Sequence, residues 1–153
     1  MSLTISSFNC KNIKSSTDEL SQLRNMNDVL LLQETWLLDT ESNLVSSLSN
    51  DFYAKGISSV DSSAGFISGR PHGGLAVMWR KSIAQQCNII DYDDHRLMGI
   101  ELISDSIKIQ LINVYLPFNC DTNYDEFMFY LAKIDSIITA YSSPYIYVIG
   151  DFN

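Results

Sequence analysis

The residues Tyr145 to Asn153 read Y-I-Y-V-I-G-D-F-N, an aromatic and β-branched run that meets a glycine and then delivers a carboxylate and an amide. Such a run predicts a strand buried on both faces from Tyr145 to Ile149, with Asp151 and Asn153 at its C-terminal edge. In open α/β sheets that edge is where ligands bind. Asp151 and Asn153 are two positions apart, so on extended backbone both side chains leave on one side and reach one ligand. The alternative reading is a polar turn that only closes a core strand.

The rest of the chain repeats this grammar. Leu3 to Phe8 predicts a short strand ending at Asn9, although its alternation slips by one position. Ser15, Ser16 and Thr17 ahead of Asp18 and Glu19 predict a capped helix to about Met26, closed by Asn27 and Asp28. Val29 to Gln33 reads as a core strand running into Glu34. A glutamate close behind four aliphatic residues is either solvated at the strand end or held in a cleft for a purpose, because an unpaired buried carboxylate is costly. The apolar loop Thr35-Trp36-Leu37-Leu38 suits walling that acid off from water. Helix is expected from Asp39 or Thr40 to Leu48, with Thr40 as its cap, and strand again from Phe52.

Ser58 to Arg70 is the least structured stretch by composition and carries an exposed-looking Phe66-Ile67. Pro71-His72-Gly73-Gly74 punctuates it before the strand Leu75 to Trp79. Gly73-Gly74 reads as a tight turn, or as a backbone nest that could hold phosphate. Strands at about Ala84 to Ile90 and Leu97 to Leu102 flank a polar connection. Ser104-Asp105-Ser106 reads as a hairpin turn into the strand Ile107 to Tyr115, whose second half is apolar on both faces. Thr122 or Asn123 should cap a helix in which Phe127, Leu131, Ile134 and Ile138 form one stripe, widened by Tyr130, Ile137 and Tyr141 and stopped at Ser142-Ser143-Pro144. The span from Val114 through that helix to Tyr145 has the length of a parallel crossover. Together these predict an α/β chain of mixed sheet without an internal repeat.

Composition narrows the function. With 153 residues, 46% of them hydrophobic, the chain can bury a core of its own. A net charge of -8 gives no basic field to draw in a phosphate backbone by itself, and a divalent metal could supply positive charge locally. Cys10, Cys87 and Cys120 are widely spaced and odd in number, which argues against a zinc cluster or a disulfide scaffold and suits an intracellular compartment. No window approaches a membrane span and no secretory leader is legible.

Asn9, Glu34, Asn113 with Tyr115, and Asp151 with Asn153 all follow or end buried strands. Acids and amides without a cysteine or histidine pair form the hard-oxygen set expected for magnesium or manganese. A metal-dependent phosphoester hydrolase follows, in which the ion offsets charge on the phosphorus transition state and amides donate to its oxygens. Each residue has a plainer reading as well. Asn113 would then only bond across the sheet, and Tyr115 would be core.

The segments Ser7-Phe8-Asn9-Cys10, Leu32-Gln33-Glu34-Thr35-Trp36, Gly73-Gly74-Leu75-Ala76-Val77, Asn113-Val114-Tyr115-Leu116-Pro117 and Gly150-Asp151-Phe152-Asn153 resemble, in order, the motifs of the endonuclease/exonuclease/phosphatase superfamily. The resemblance is strongest to the apurinic-like endonuclease domain of non-LTR retrotransposon polyproteins, and it covers residues 1–153. It implies a four-layer α/β sandwich with mixed β-sheets, the DNase I-like fold. It also implies Glu34 as the metal carboxylate, Asn9 as a polar neighbour at the metal, and Tyr115 as a phosphate contact. Asp151 would orient or deprotonate the attacking water, and Asn153 would bond the phosphate oxygens. The cofactor implied is Mg2+ or Mn2+, and the substrate is DNA.

Members of that family continue beyond the Gly-Asp-x-Asn strand into further strands and a Ser-Asp-His motif, which this sequence lacks. The expectation is therefore the N-terminal portion of one domain, an incomplete sandwich inactive by itself. Its partners would be the C-terminal half of the domain and a reverse transcriptase domain in the parent chain. Neither His72 nor His95 is expected to replace the missing histidine. Two other functions use the same residues: hydrolysis of inositol phosphates or other small phosphoesters, and binding by a non-catalytic remnant.

Overall fold

Five consecutive buried residues, Val29–Gln33, form the strand β2 around which the first sheet is built. Their alternation sends Val29 and Leu31 to one face and Leu30 and Leu32 to the other, and both faces are covered. The computed structural model describes residues 2–60, 69, 71–104, 106–142 and 145–153. Phe66-Ile67, the central Asp105 of the expected hairpin turn, and the helix stop at Ser143-Pro144 lie outside the described residues.

The first sheet joins β1 (Ile5–Asn9), β2, β4 (Leu75–Arg80) and β3 (Phe52–Ile57) in the order β1-β2-β4-β3, with β1 parallel to β2 and the other pairs antiparallel. The second orders β5 (Cys87–Asp91), β6 (Leu97–Ser104), β7 (Ile107–Tyr115) and β8 (Tyr145–Asp151) in sequence, antiparallel except for the parallel pair β7–β8. Helices α1 (Thr17–Met26) and α2 (Leu44–Ser47) cover the outer face of the first sheet through Leu20 and Val45. Helix α3 (Tyr124–Ala140) covers the outer face of the second through Tyr130 and Ile134. Val29, Leu31 and Val77 meet Met98, Ile100 and Leu111 between the sheets. The result is two mixed sheets with helices outside them, an incomplete DNase I-like sandwich.

Several sequence expectations change. Ser16 precedes α1 but does not cap it, because its hydroxyl donates to the Cys10 and Asn12 carbonyls instead. The helix expected over 39–48 is a 3-10 turn at Asp39–Glu41 and the single turn α2, and Thr40 caps neither. Residues 84–86 belong to a 3-10 segment, Lys81–Gln86, so β5 starts at Cys87. Asn123 precedes α3 without a side-chain cap bond. Ile138 of the expected apolar stripe is exposed. The largest departure is β8, an edge strand among the described residues. Ile146 and Val148 pack toward α3, while Tyr145 and Tyr147 are 46% and 52% exposed, so the strand is not buried on both faces.

Candidate active site

Parallel pairing of β1 with β2 brings the ends of both strands to one edge, and their following loops run side by side. Cys10 N donates to Gln33 O at 2.8 Å, Asn12 N to Glu34 O at 2.9 Å and Ile13 N to Thr35 O at 3.1 Å. Glu34 and Trp36 adopt φ of 51° and 55°, a left-handed conformation that costs a non-glycine residue about 1 kcal/mol or more. The neighbouring turn offsets that strain: Thr35 N donates to Gly74 O and Trp36 N to Gly73 O. Gly73 and Gly74 thus hold the Glu34 loop through their carbonyls. Gly74 has φ of 81°, and a Cβ there would lie 2.6 Å from Thr35 Oγ1.

The second sheet contributes from the facing edge. Tyr115, the last residue of β7, pairs with Asp151, the last of β8. The strands meet so closely at Gly150 that an added Cβ would lie 2.1 Å from Val114 O. Asp151 is thereby brought over the end of β1. Asn9 Nδ2 donates to Glu34 Oε1 at 2.9 Å and to Asp151 Oδ2 at 2.8 Å. The outer oxygens are also met, Glu34 Oε2 by Trp36 Nε1 at 3.2 Å and Asp151 Oδ1 by Asn153 N at 3.0 Å. Asn9, Glu34, Asp151 and Tyr115 are all half-buried.

Tyr115 stands beside both acids. Burial, then the charges of Glu34 and Asp151, push its phenol up, and Arg96 opposes them. The tyrosine therefore stays a neutral O–H donor through the physiological range. Arg96 Nη1 donates to Tyr115 O at 3.2 Å and its guanidinium lies 5.8 Å from the Tyr115 ring centroid.

Asn153 departs from the extended geometry expected for it. Its φ is 52°, and its carboxamide donates to Leu116 O, so its side chain is spent on the backbone rather than paired with Asp151 on one ligand. It still lines a cleft of about 200 Å³ with Tyr115, Arg96, His72, His95 and Phe118. Neither histidine is expected at the site from sequence, and no motif singles out Arg96 or Phe118. Arg96 was reachable: antiparallel β6 and β7 pair Leu97 with Val114, which puts the residue before β6 next to the end of β7. Asn113 does not reach the site. Its Nδ2 donates to Leu32 O and Ala76 O, both at 3.0 Å, and its Oδ1 accepts from Gln33 Nε2 at 2.7 Å. It ties the two sheets together across the sandwich, where its plainer reading has a bond within one sheet.

Two carboxylates whose oxygens meet only neutral N–H donors in these bonds suit a hard divalent cation. Among the described residues no group of three or more His, Cys, Asp or Glu side chains converges to hold a metal. The donor set fits an ion held by one or two carboxylates and completed by water or substrate oxygens, which is how magnesium is commonly bound, and does not fit an all-protein cage.

The model of the Endonuclease/Exonuclease/phosphatase family matches residues 6–153, and the chain belongs to that family. Comparison with curated proteins finds no match. Among solved structures, the catalytic domain of Xenopus laevis APE2 superposes with a TM-score of 0.70 at 15% identity, covering 99% of this chain and 58% of that one. The endonuclease domain of TRAS1, a telomere-specific non-LTR retrotransposon, gives 0.62 at 14% identity, covering 98% and 58%. The AP endonuclease LMAP of Leishmania major gives 0.63 at 16%, covering 97% and 54%. The chain thus spans little more than half the length of these structures, whose likeness establishes the fold. Divalent metal ions are usual across this superfamily.

Proposed function

We propose that these residues form the N-terminal part of a magnesium-dependent endonuclease, which hydrolyses a DNA phosphodiester by attack of water at phosphorus. The observation that carries the reading is the bridging of Glu34 and Asp151 by one amide, Asn9, at a shared edge of two sheets. Magnesium, or manganese, would be held at Glu34 with Asn9 beside it, and when bound it offsets charge on the phosphate oxygens. Asp151 orients the attacking water and takes its proton. Tyr115 donates its hydroxyl to a phosphate oxygen, and Asn153 joins it once its carboxamide leaves the Leu116 carbonyl. The water oxygen bonds to phosphorus as the bond to the 3'-oxygen breaks, and that oxygen takes a proton from solvent, leaving a 3'-hydroxyl and a 5'-phosphate.

Turnover is expected of a longer chain that supplies the rest of the metal and phosphate surroundings, because groups that act as a unit lose activity together. The motif set fits a parent of the non-LTR retrotransposon kind, with a reverse transcriptase domain on the same chain. Plasmid nicking by such a parent is the assay. Asp151→Asn should lower turnover far more than it weakens binding, as for a group that works in the transition state. In the 153-residue chain Glu34→Gln should remove most of the thermal shift produced by magnesium while changing metal-free stability little. Hydrolysis of inositol phosphates without nicking, or an unchanged magnesium response in Glu34→Gln, would overturn the reading.

A further inference from the structure

The cleft at the sheet ends has a wall that the phosphate chemistry leaves unused. Leu116 and Pro117 are buried, whereas Phe118, the next residue, is 63% exposed. Its ring sits on a fixed mount. Leu116 N donates to Asp151 O at 2.9 Å, and Pro117 restricts its own φ. The same cleft holds Arg96, a fixed positive charge in a chain of net charge -8. Arg96 is itself anchored, with Nη1 on the Tyr115 carbonyl and Nε 3.3 Å from Glu126 Oε1. An aromatic ring and a cation lining one cleft match the chemistry of a nucleotide, with the base on the ring and a phosphate near the cation. Inositol phosphates and other small phosphoesters offer no π-face and would leave the ring in water.

We infer that Phe118 is a base-stacking platform, so that the site takes a polynucleotide strand with an unpaired base next to the phosphate it handles. This rests on the reading of Tyr115 and Asn153 as phosphate contacts, and it names single-stranded or locally opened nucleic acid as the substrate class. A base inside a closed duplex has both faces covered and cannot use the ring without being turned out.

Anisotropy titrations of the 153-residue chain, without metal, would use two labelled strands of about eight nucleotides, within the site sizes of single-strand binders. One is oligothymidylate, and the other has abasic spacers in place of every base. The expected result is a preference for oligothymidylate of about fivefold or more, the usual scale of one stacked base. Phe118→Ala should bring the ratio of the two affinities close to one, and Phe118→Trp should keep it. Circular dichroism of both variants should match the parent, because the ring is exposed. Equal binding of the two strands, no measurable binding of oligothymidylate, or a preference that survives Phe118→Ala would overturn the inference. The underlying phosphate reading is checked separately, by whether inorganic phosphate shifts the Tyr115 ring resonances. No shift together with a Phe118-dependent preference would remove the catalytic reading and leave the stacking platform standing.

Discussion

Asn9 Nδ2 lies 2.9 Å from Glu34 Oε1 and 2.8 Å from Asp151 Oδ2, so one amide holds together two carboxylates that come from different sheets. Replacing that donor by a third acid tests the convergence directly. Asn9→Asp should destabilise the metal-free chain by about 1–3 kcal/mol, from two lost charge-assisted bonds and added repulsion. Magnesium should then restore more stability to the variant than it adds to the parent, since three hard oxygens would face one point. Thermal denaturation with and without magnesium reads both effects. Asn9→Ala, without the extra charge, should lose stability but gain no metal response. An Asn9→Asp midpoint indifferent to magnesium would place the carboxylates too far apart to share an ion.

Asn113 supports a different expectation. Its three hydrogen bonds are buried and run to Leu32 and Ala76 in the first sheet and to the Gln33 side chain. Asn113→Leu keeps the volume but takes a buried donor from two carbonyls, at a cost of about 3 kcal/mol, while Gln33 Nε2 keeps Ser7 Oγ and Leu31 O. The magnesium-induced shift should survive, because nothing in this network reaches Glu34 Oε1 or Asp151. Loss of the metal response with stability intact would return Asn113 to the site.

These two asparagines mark what the sequence could and could not carry. Elements made by local pattern were legible: V-L-L-L-Q at β2, the half-amphipathic β7, and the crossover through α3. Strand-end logic also anticipated that Asn9, Glu34, Tyr115 and Asp151 meet, since parallel neighbours end at one edge of their sheet. What failed depends on partners distant in sequence. Asn113 finds Leu32 and Ala76 across the sandwich, and Ser16 turns its hydroxyl to Cys10 rather than to its own helix. For Asn153, two-residue periodicity presumed extended backbone, and the positive φ there breaks it. In β8 the run Tyr145 to Ile149 was apolar enough for two covered faces, but composition does not say which neighbours stand beside a strand.

Alkaline pH should destabilise the chain in a defined window. Burial pushes the Cys10 thiol up to about 12 and Cys87 to about 11, and it pushes Tyr92 to about 12. Tyr130 also rises to about 12, from burial first and then the charge of Asp94. Each neutral form is favoured by folding, so their contribution is complete below the unfolded values near 9 for cysteine and 10 for tyrosine. It should be lost progressively as pH rises from there to about 12. Equilibrium denaturation between pH 8 and pH 12 would trace this, and a flat profile would count against it. Thiol labelling gives an independent reading. Cys120, whose thiol is lowered by its bond to the Thr122 hydroxyl, should react first, and buried Cys10 should react only on unfolding.

Strand β8 presents two unlike faces. Its side chains alternate between Ile146 and Val148, packed toward α3, and the exposed Tyr145 and Tyr147 on the opposite face. The strand stands at an edge of its sheet among the described residues, with β7 on its other side. An edge strand seven residues long, carrying large aromatic groups and no lysine or proline within it, has few of the features that discourage pairing with another chain. The isolated 153-residue chain should therefore associate as its concentration rises. Hydrogen exchange should find the β8 amides less protected than those of β2, which has neighbours on both sides and is buried throughout. Tyr147→Lys places a charge on the exposed face without touching Asp151, and it should shift the chain toward monomer in sedimentation at equal concentration. A parent that is monomeric throughout, with β8 as protected as β2, would mean that this edge is already blunted by other means.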